Sequence, residues 1–400
     1  MVSDICFLYP CRRSIGMKLR QKPDDFVVEE MPSREWKKSG KCPVYKVSKV
    51  GMTTFAAEKV LATHCNVPFK KIGFAGLKDA HARTAQYFSV ETDNPDCGNF
   101  KEQHVSSELI GFLEEPLRTG DLKGNKFVIV VRDLYDDQVE KAKRNLPQVQ
   151  DGVPNYFDSQ RFGSLKGVQG FIAKDVLRGK YEQAVQKIIT ATTRHQKAKI
   201  RGVRKFIKAN WGEWALCLDE VKKAELERTV EGTVVRHLVE FPGDFKGAFE
   251  RTFKGIREIF FSAYQSFIWN ECVKRVVRAN SKEVFSVDYE AGKLVFPRKW
   301  NPDAKLATFP LAAPDMKVSD EKMKIINDVL KMEGIQLPEL LSEQHFFVAR
   351  EREIVLKPEG LVVHPAEDDE LNGHRKKVRI EFALSKGSYA TIIIKALFEE

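Results

Sequence analysis

The stretch Gly73-Phe-Ala-Gly76-Leu-Lys78-Asp79-Ala-His81-Ala-Arg83-Thr84-Ala-Gln86 concentrates the polar chemistry of the chain. A short apolar approach, Ile72 to Gly76, runs into the Lys78-Asp79 pair, and Gln86 to Glu91 has the pattern of a strand. Asp79 has Lys78 beside it and Arg83 four residues on. A neighbouring cation favours the ionised form of a carboxylate, and an ionised Asp suits a nucleophile or a general base. From these residues alone a structural role is the commoner reading. Asp79 would then cap a short helix with Arg83 as its ion-pair partner.

Working outward, the flanking pattern is that of an α+β protein. Met17 to Val28 predicts a strand with a turn at Pro23-Asp24, and Thr53 to Cys65 has helical spacing. Gly120 and Gly124 punctuate a loop before the continuous apolar run Phe127 to Val131, which predicts a buried strand. Lys141 to Gln150 predicts a helix. The strands lack a steady βαβ rhythm, so a mixed or antiparallel sheet is expected. The middle of the chain is helical, with Phe171 to Thr190, Arg257 to Arg278 and Asp320 to Met332 periodic and Gly334 ending the last. Strand pattern returns at the end. Val378, Ile380 and Phe382 alternate with Arg379 and Glu381, Gly387 marks a turn, and the β-branched run Thr391 to Ile394 predicts a second strand.

The chain has 400 residues, long enough for two domains. Lys and Arg number 66 against 56 Asp and Glu, a net charge of +10 that permits a polyanionic partner. Seven cysteines form no C-x-x-C pair and no zinc spacing, so reduced thiols in a cytoplasmic protein are expected and no metal site is. The N-terminal MVSDICFLYPCRR lacks a signal-peptide core, and no apolar stretch is long enough for a membrane span. No heptad is present, so a monomer is expected, and no protein partner is implied.

Two further clusters carry candidate chemistry. In RTGDLKGNKF, Arg118 to Phe127, the glycines allow close backbone approach, and Asn125 offers donors and an acceptor to a base edge. A plain Gly-Asn turn is the alternative. The run RHQKAKIRGVRKFIK, Arg194 to Lys208, holds seven Lys or Arg and no acid, with Phe206 inside it and Trp211 and Trp214 following. Cations contact phosphates and aromatic rings stack on bases. Lys197, Lys199, Arg201, Arg204 and Lys205 are the candidates for RNA contact. A solvated basic loop beside core aromatics is the alternative.

The Gly73–Gln86 cluster resembles the signature of the TruD pseudouridine synthases, a G-x-K-D core followed by a Thr and a Gln, here Gly76, Lys78, Asp79, Thr84 and Gln86. Five more stretches are similar to motifs of that family, in family order: KPDDFVVEE from Lys22, LKGNKF from Leu122, NYFDSQRFG from Asn155, SAYQSFIWN from Ser262 and KGSYAT from Lys386. The resemblance implies a pseudouridine synthase catalytic core of mixed sheet and flanking helices, residues 1–152 and 348–400. It also implies an inserted α/β domain, residues 153–347, that is characteristic of the family. Implied too are a tRNA substrate with uridine 13 as the target, isomerisation without a cofactor, and Asp79 as the catalytic carboxylate. Asp79 would attack C1′ or remove a sugar proton to give a glycal. By the same resemblance Phe26 and Tyr389 pack on the uracil or sugar, Asn125 bonds the base and Phe127 lines the pocket. Arg20 pairs with Asp79, and Lys78 and Gln86 support it. A non-catalytic RNA-binding protein would keep the basic surface without needing the carboxylate. A methyltransferase would need a Gly-rich cofactor loop, and a glycosidase a second carboxylate.

Overall fold

A computed structural model describes residues 17–193, 196–300 and 307–399. The N-terminal stretch without a signal-peptide core, and Arg194 of the basic run, lie outside the described residues. The fold is α+β and falls into two compact units. One comprises residues up to Asn155 together with Val355 onward, and the other is Tyr156–Ile354.

The first unit is organised by one mixed sheet. Its strands are β1 (Phe26–Pro32), β2 (Cys42–Val50), β3 (Ile72–Phe74), β4 (Arg83–Val90), β5 (Phe100–Lys101), β6 (Val105–Leu113) and β7 (Leu122–Leu134). Three strands from the end of the chain, Glu359–Val363, Glu367–Asp368 and Lys376–Ser385, complete it. The order is Glu359–Val363, Lys376–Ser385, β7, β1, β4, β2, β6, β5, with β3 added on β4 and Glu367–Asp368 on Lys376–Ser385. Only the β1–β4 pairing among these is parallel. Helix α1 (Thr54–Cys65) starts at Thr53, whose Oγ1 accepts from the Ala56 amide, and ends at Asn66 in the left-handed region. Its Ala57, Leu61 and Cys65 pack with Tyr45, Val47 and Phe88 of the sheet into one core.

Four expectations are corrected. The N-terminal strand starts only at Phe26, because Pro23–Asp25 is a 3-10 turn. Gly124 lies inside β7 and not in a loop before it. A Cβ there would stand 2.0 Å from the Leu384 carbonyl oxygen, so the glycine serves close strand approach. Thr391 to Ile394 belongs to a helix, Ala390–Phe398, whose Ile392, Ile393 and Ile394 are all fully buried. Burial on every side overrides β-propensity there, and Asn145 of helix α2 (Asp136–Asp151) satisfies the Leu397 carbonyl at 3.0 Å. Finally, the thiols are not all free. Cys65 at the end of α1 and Cys97 in the Pro95–Gly98 turn form a disulfide, while Cys42, Cys217 and Cys272 are free and buried.

The second unit is built around the 26-residue helix Lys254–Ala279. Phe171 to Thr190 is two helices, Ile172–Leu177 and Tyr181–Thr190, broken at Gly179 with φ 69°. Asn270 clamps the Phe157 backbone, its Oδ1 accepting from the amide and its Nδ2 donating to the carbonyl, each at 2.9 Å. Arg161 Nε donates to Ser266 Oγ at 3.0 Å. Thus NYFDSQRFG and SAYQSFIWN hold each other. Among the described residues no helix is long and apolar enough to cross a membrane, and no group of three or more metal-ligating side chains is gathered.

Candidate active site

The sheet register sets the floor of the site. Lys49 faces Thr84, Thr84 faces Val28, Val28 faces Phe127 and Phe127 faces Phe382 across five strands. Directly paired residues share a sheet face, so these side chains form one row. Phe26 is two residues before Val28, and Asn125 two before Phe127, on that same face.

Over this face passes the loop between β3 and β4. Its conformation is fixed by hydrogen bonds rather than by a helix. Thr54 Oγ1 accepts from the Lys78 amide at 2.9 Å and donates to Gln86 Oε1 at 3.0 Å, while Gln86 Nε2 donates to the Gly76 carbonyl at 3.1 Å. The Lys78 ammonium is buried against the Glu30 carboxylate. Burial pushes the Glu30 carboxyl above its usual range, against the opposing pull of Lys78. Gln86 and Lys78 are therefore struts of the loop, and Thr54 and Glu30 are partners the sequence pattern did not reveal.

The loop delivers the Asp79 carboxylate to Arg20. Asp79 Oδ2 lies 3.0 Å from Arg20 Nη2, and Oδ1 accepts from the His81 amide at 2.8 Å in a turn. Arg83 points elsewhere, to Asp24 at 2.5 Å, so the helix-cap arrangement with Arg83 as partner does not form. Arg20 stands over the Phe26 ring at 4.1 Å, Phe26 meets Phe127 edge-on at 6.3 Å, and Phe127 stacks on Phe382 at 5.5 Å. One continuous chain of contacts thus links Asp79, Arg20, Phe26 and Phe127. Phe382, read in the sequence only as a core position, is the ring against Phe127.

Arg20 reaches Asp79 from a left-handed backbone, φ 62°, which is unusual for a long side chain. The segment around it is pinned on both sides. Lys18 exchanges two backbone hydrogen bonds of 2.9 Å with Arg132, and Asp25 Oδ2 accepts from the Lys22 amide at 2.8 Å. Arg132 is itself buried between Asp25 and Asp369, at 2.9 and 2.8 Å. This explains the chemistry of KPDDF: Pro23–Asp25 makes the turn and Asp25 anchors it.

Asn125 Oδ1 is buried and has no hydrogen-bond partner among the described residues, as is the case for Arg20 Nε. A buried acceptor without a partner is uncommon and marks a place where a ligand donor fits. Tyr389 follows the turn after Ser385, which pairs with Gly124, and it precedes the C-terminal helix half-buried. The basic candidates belong to the second unit. Arg204 is committed to Glu231 and to the Ala191 carbonyl at 2.7 Å, Arg201 donates to the Gln196 carbonyl at 3.3 Å, and Lys199 pairs with Glu225 at 2.8 Å. Lys197 and Lys205 are exposed on and before the helix Ala198–Ala209. Trp211 and Trp214 pack on each other and on Phe245. A pocket of about 450 Å³ lined by Val50, Met52, Thr53 and His104 among others includes none of the candidate site residues.

A family model described as tRNA pseudouridine synthase D (TruD) matches residues 6–296. The chain belongs to the TruD family. A probable tRNA pseudouridine synthase D 2 of Methanocaldococcus jannaschii is 38% identical over 96% of this chain and 92% of that protein. A probable tRNA pseudouridine synthase D 1 of Methanococcus maripaludis is 35% identical over 96% and 99%. The tRNA pseudouridine synthase D of Aquifex aeolicus is 30% identical over 96% and 98%. The crystal structure of a TruD protein from Methanosarcina mazei, 26% identical, superposes with a TM-score of 0.72 over 99% of this chain and 97% of that one. The α+β architecture is thus that of a TruD pseudouridine synthase, an isomerase.

Proposed function

We propose that this protein isomerises uridine 13 of tRNA to pseudouridine, with Asp79 as the catalytic carboxylate. The observation that carries this is the Asp79–Arg20 pair of 3.0 Å at the edge of an aromatic floor. The first unit acts as catalytic core and Tyr156–Ile354 as the inserted RNA-binding domain. The enzyme works as a monomer in the cytoplasm, without a cofactor. A disulfide at Cys65–Cys97 does not oppose that compartment, since some intracellular proteins keep disulfides.

The reaction divides into bond breaking, rotation and rejoining. Asp79 either attacks C1′ or takes a sugar proton, and the bond from N1 to C1′ breaks. The uracil turns and its C5 bonds to C1′ as the Asp79–C1′ bond breaks or the sugar proton is returned; the C5 proton leaves and N1 takes up a proton. Substrate and product are isomers, so nothing is added or removed. The target uridine must leave its stack to enter the site. Phe26 and Phe127 offer apolar faces to the freed base, with Tyr389 as a further wall. Asn125 Oδ1, which lacks a partner among the described residues, suits the N3–H of uracil. Arg20 balances the Asp79 charge through the sequence, while Lys78 and Gln86 keep the loop in place. Lys197 and Lys205 reach toward phosphate, together with Lys199, Arg201 and Arg204 in so far as RNA competes for them.

The test is to incubate the protein with unmodified tRNA and map pseudouridine by chemical labelling, beside Asp79→Asn. Pseudouridine at position 13 with wild type alone is the expected result. Modification at another uridine would overturn the target, and an active Asp79→Asn would overturn the catalytic role.

A further inference from the structure

Lys49 is a second basic residue tied to Asp79. It lies near the end of β2 with its side chain enclosed, and the residue is 1% exposed. Its Nζ donates to the Met52 carbonyl at 2.6 Å and to the Asp79 carbonyl at 3.2 Å. Among the described residues no carboxylate lies within ion-pair distance of it. Opposite it, Thr84 Oγ1 is buried without a partner among the described residues. A lysine enclosed with carbonyls alone is costly, because its charge loses water and gains no anion in contact. A neutral donor would bridge two carbonyls at lower cost. What lysine adds at this position is charge, directly under the residue that bears the reacting carboxylate.

We propose that Lys49 is a positioning residue for the isomerisation: it pins the Asp79 main chain to the turn between β2 and α1 and sets a positive charge beneath the catalytic loop. The proposal rests on Asp79 being the catalytic carboxylate. The charged groups acting on Lys49 come from that loop. Burial pushes its pKa down to about 8, Asp79 pulls it up, and Lys78 pushes it down. Lys78 is in turn paired with Glu30, and Asp79 with Arg20. The supporting charge is therefore present at neutral pH and lost as pH rises through about 8.

The experiment compares wild type, Lys49→Met, Lys49→Arg and Asp79→Asn in single-turnover reactions on unmodified tRNA with enzyme in excess. Rates are followed from about pH 7 to about pH 9.5. Thermal unfolding and tRNA binding are measured alongside. Wild type is expected to slow as pH rises through about 8 with binding retained. Lys49→Met is expected to react about 100-fold more slowly at neutral pH, with binding intact and without that alkaline decline. Lys49→Arg, which stays charged, is expected to recover part of the rate and to lose the decline. A folded Lys49→Met at wild-type rate overturns the proposal, and so does an unchanged alkaline decline in Lys49→Arg. Should Lys49→Met fail to fold, the wild-type profile decides, and a rate that does not fall across that range overturns it. Activity in Asp79→Asn would remove the underlying assignment instead, whereas inactive Asp79→Asn beside wild-type-like Lys49→Met removes the role of Lys49 alone.

Discussion

Arg20 Nη2 lies 3.0 Å from Asp79 Oδ2, and Arg20 reaches that position only by holding φ at 62°. A residue with a Cβ gives up about 1–2 kcal/mol in the left-handed region, and glycine does not. Arg20→Ala and Arg20→Gly both delete the guanidinium, so both should lose the ion pair and the packing on Phe26. They should differ in strain. Arg20→Gly is expected to be more stable than Arg20→Ala by about 1 kcal/mol in denaturant unfolding. Both should be slowed by about 100-fold or more in pseudouridine formation, because the charge beside Asp79 is gone. Equal stability of the two would show that the backbone at Arg20 carries no strain.

The buried Glu30–Lys78 pair gives a second expectation. Lys78→Met leaves Glu30 enclosed without its cation, which costs about 3–5 kcal/mol. Replacing both, as Glu30→Leu with Lys78→Met, should return much of that stability. Burial holds the Glu30 carboxyl above its ordinary value, so the native state retains its proton longer than the unfolded chain does. Its contribution is present at acid pH and is lost as pH rises through the native value. The stability deficit of Lys78→Met should therefore widen from acid to neutral pH. A deficit that stays constant in urea titrations would remove Glu30 as the cause.

For Lys49 the sign is opposite. Its native pKa of about 8 is below its ordinary 10.5, so between these values the unfolded chain holds more protons than the native one. Wild-type stability should rise with pH in that window relative to Lys49→Met, with a limiting slope of about 1.4 kcal/mol per pH unit. Matched urea unfolding curves of the two proteins check this, and parallel pH profiles would contradict it.

The basic helix separates into two kinds of cation. Arg204 holds buried Glu231, so Arg204→Ala should lower stability by about 3 kcal/mol or more through the charge left behind. Among the described residues, exposed Lys197, Lys205 and Lys208 make no such buried pair. Changing those three to Gln should leave thermal unfolding near wild type and flatten the salt dependence of tRNA binding. The expected change in slope is up to about 0.9 for each phosphate no longer neutralised. An unchanged slope would remove these lysines from the RNA surface.

The Lys78–Gln86 part of the candidate site was legible because its members are sequential, whereas Arg20, Phe26, Phe127 and Tyr389 were named only through resemblance to the family. Lys78, Asp79 and Gln86 lie in one short stretch, and the turn residues Pro23 and Gly76 announce the backbone that carries them. The parts that were not legible depend on neighbours brought by the sheet. Lys49, Thr54, Glu30 and Phe382 meet the site across strands or from the start of α1, and periodicity along one strand says nothing of its neighbours. The same limit hid the Cys65–Cys97 pair, 32 residues apart. Thr391 to Ile394 has the pattern of a strand because β-branched residues favour strands, while the packing of three consecutive isoleucines is decided by what surrounds them.

β7 carries Asn125 and Phe127, and one of its edges is covered by Lys376–Ser385. That partner follows β7 in the chain only after the whole of Tyr156–Ile354. Throughout synthesis of the intervening segment the nascent chain holds a long strand whose backbone donors and acceptors on that side have no native mate. Release at a premature stop would leave the same edge open for good. Such products should be the ones that chaperones retain and proteases clear, and a peptide matching Lys376–Ser385 should find its place on them.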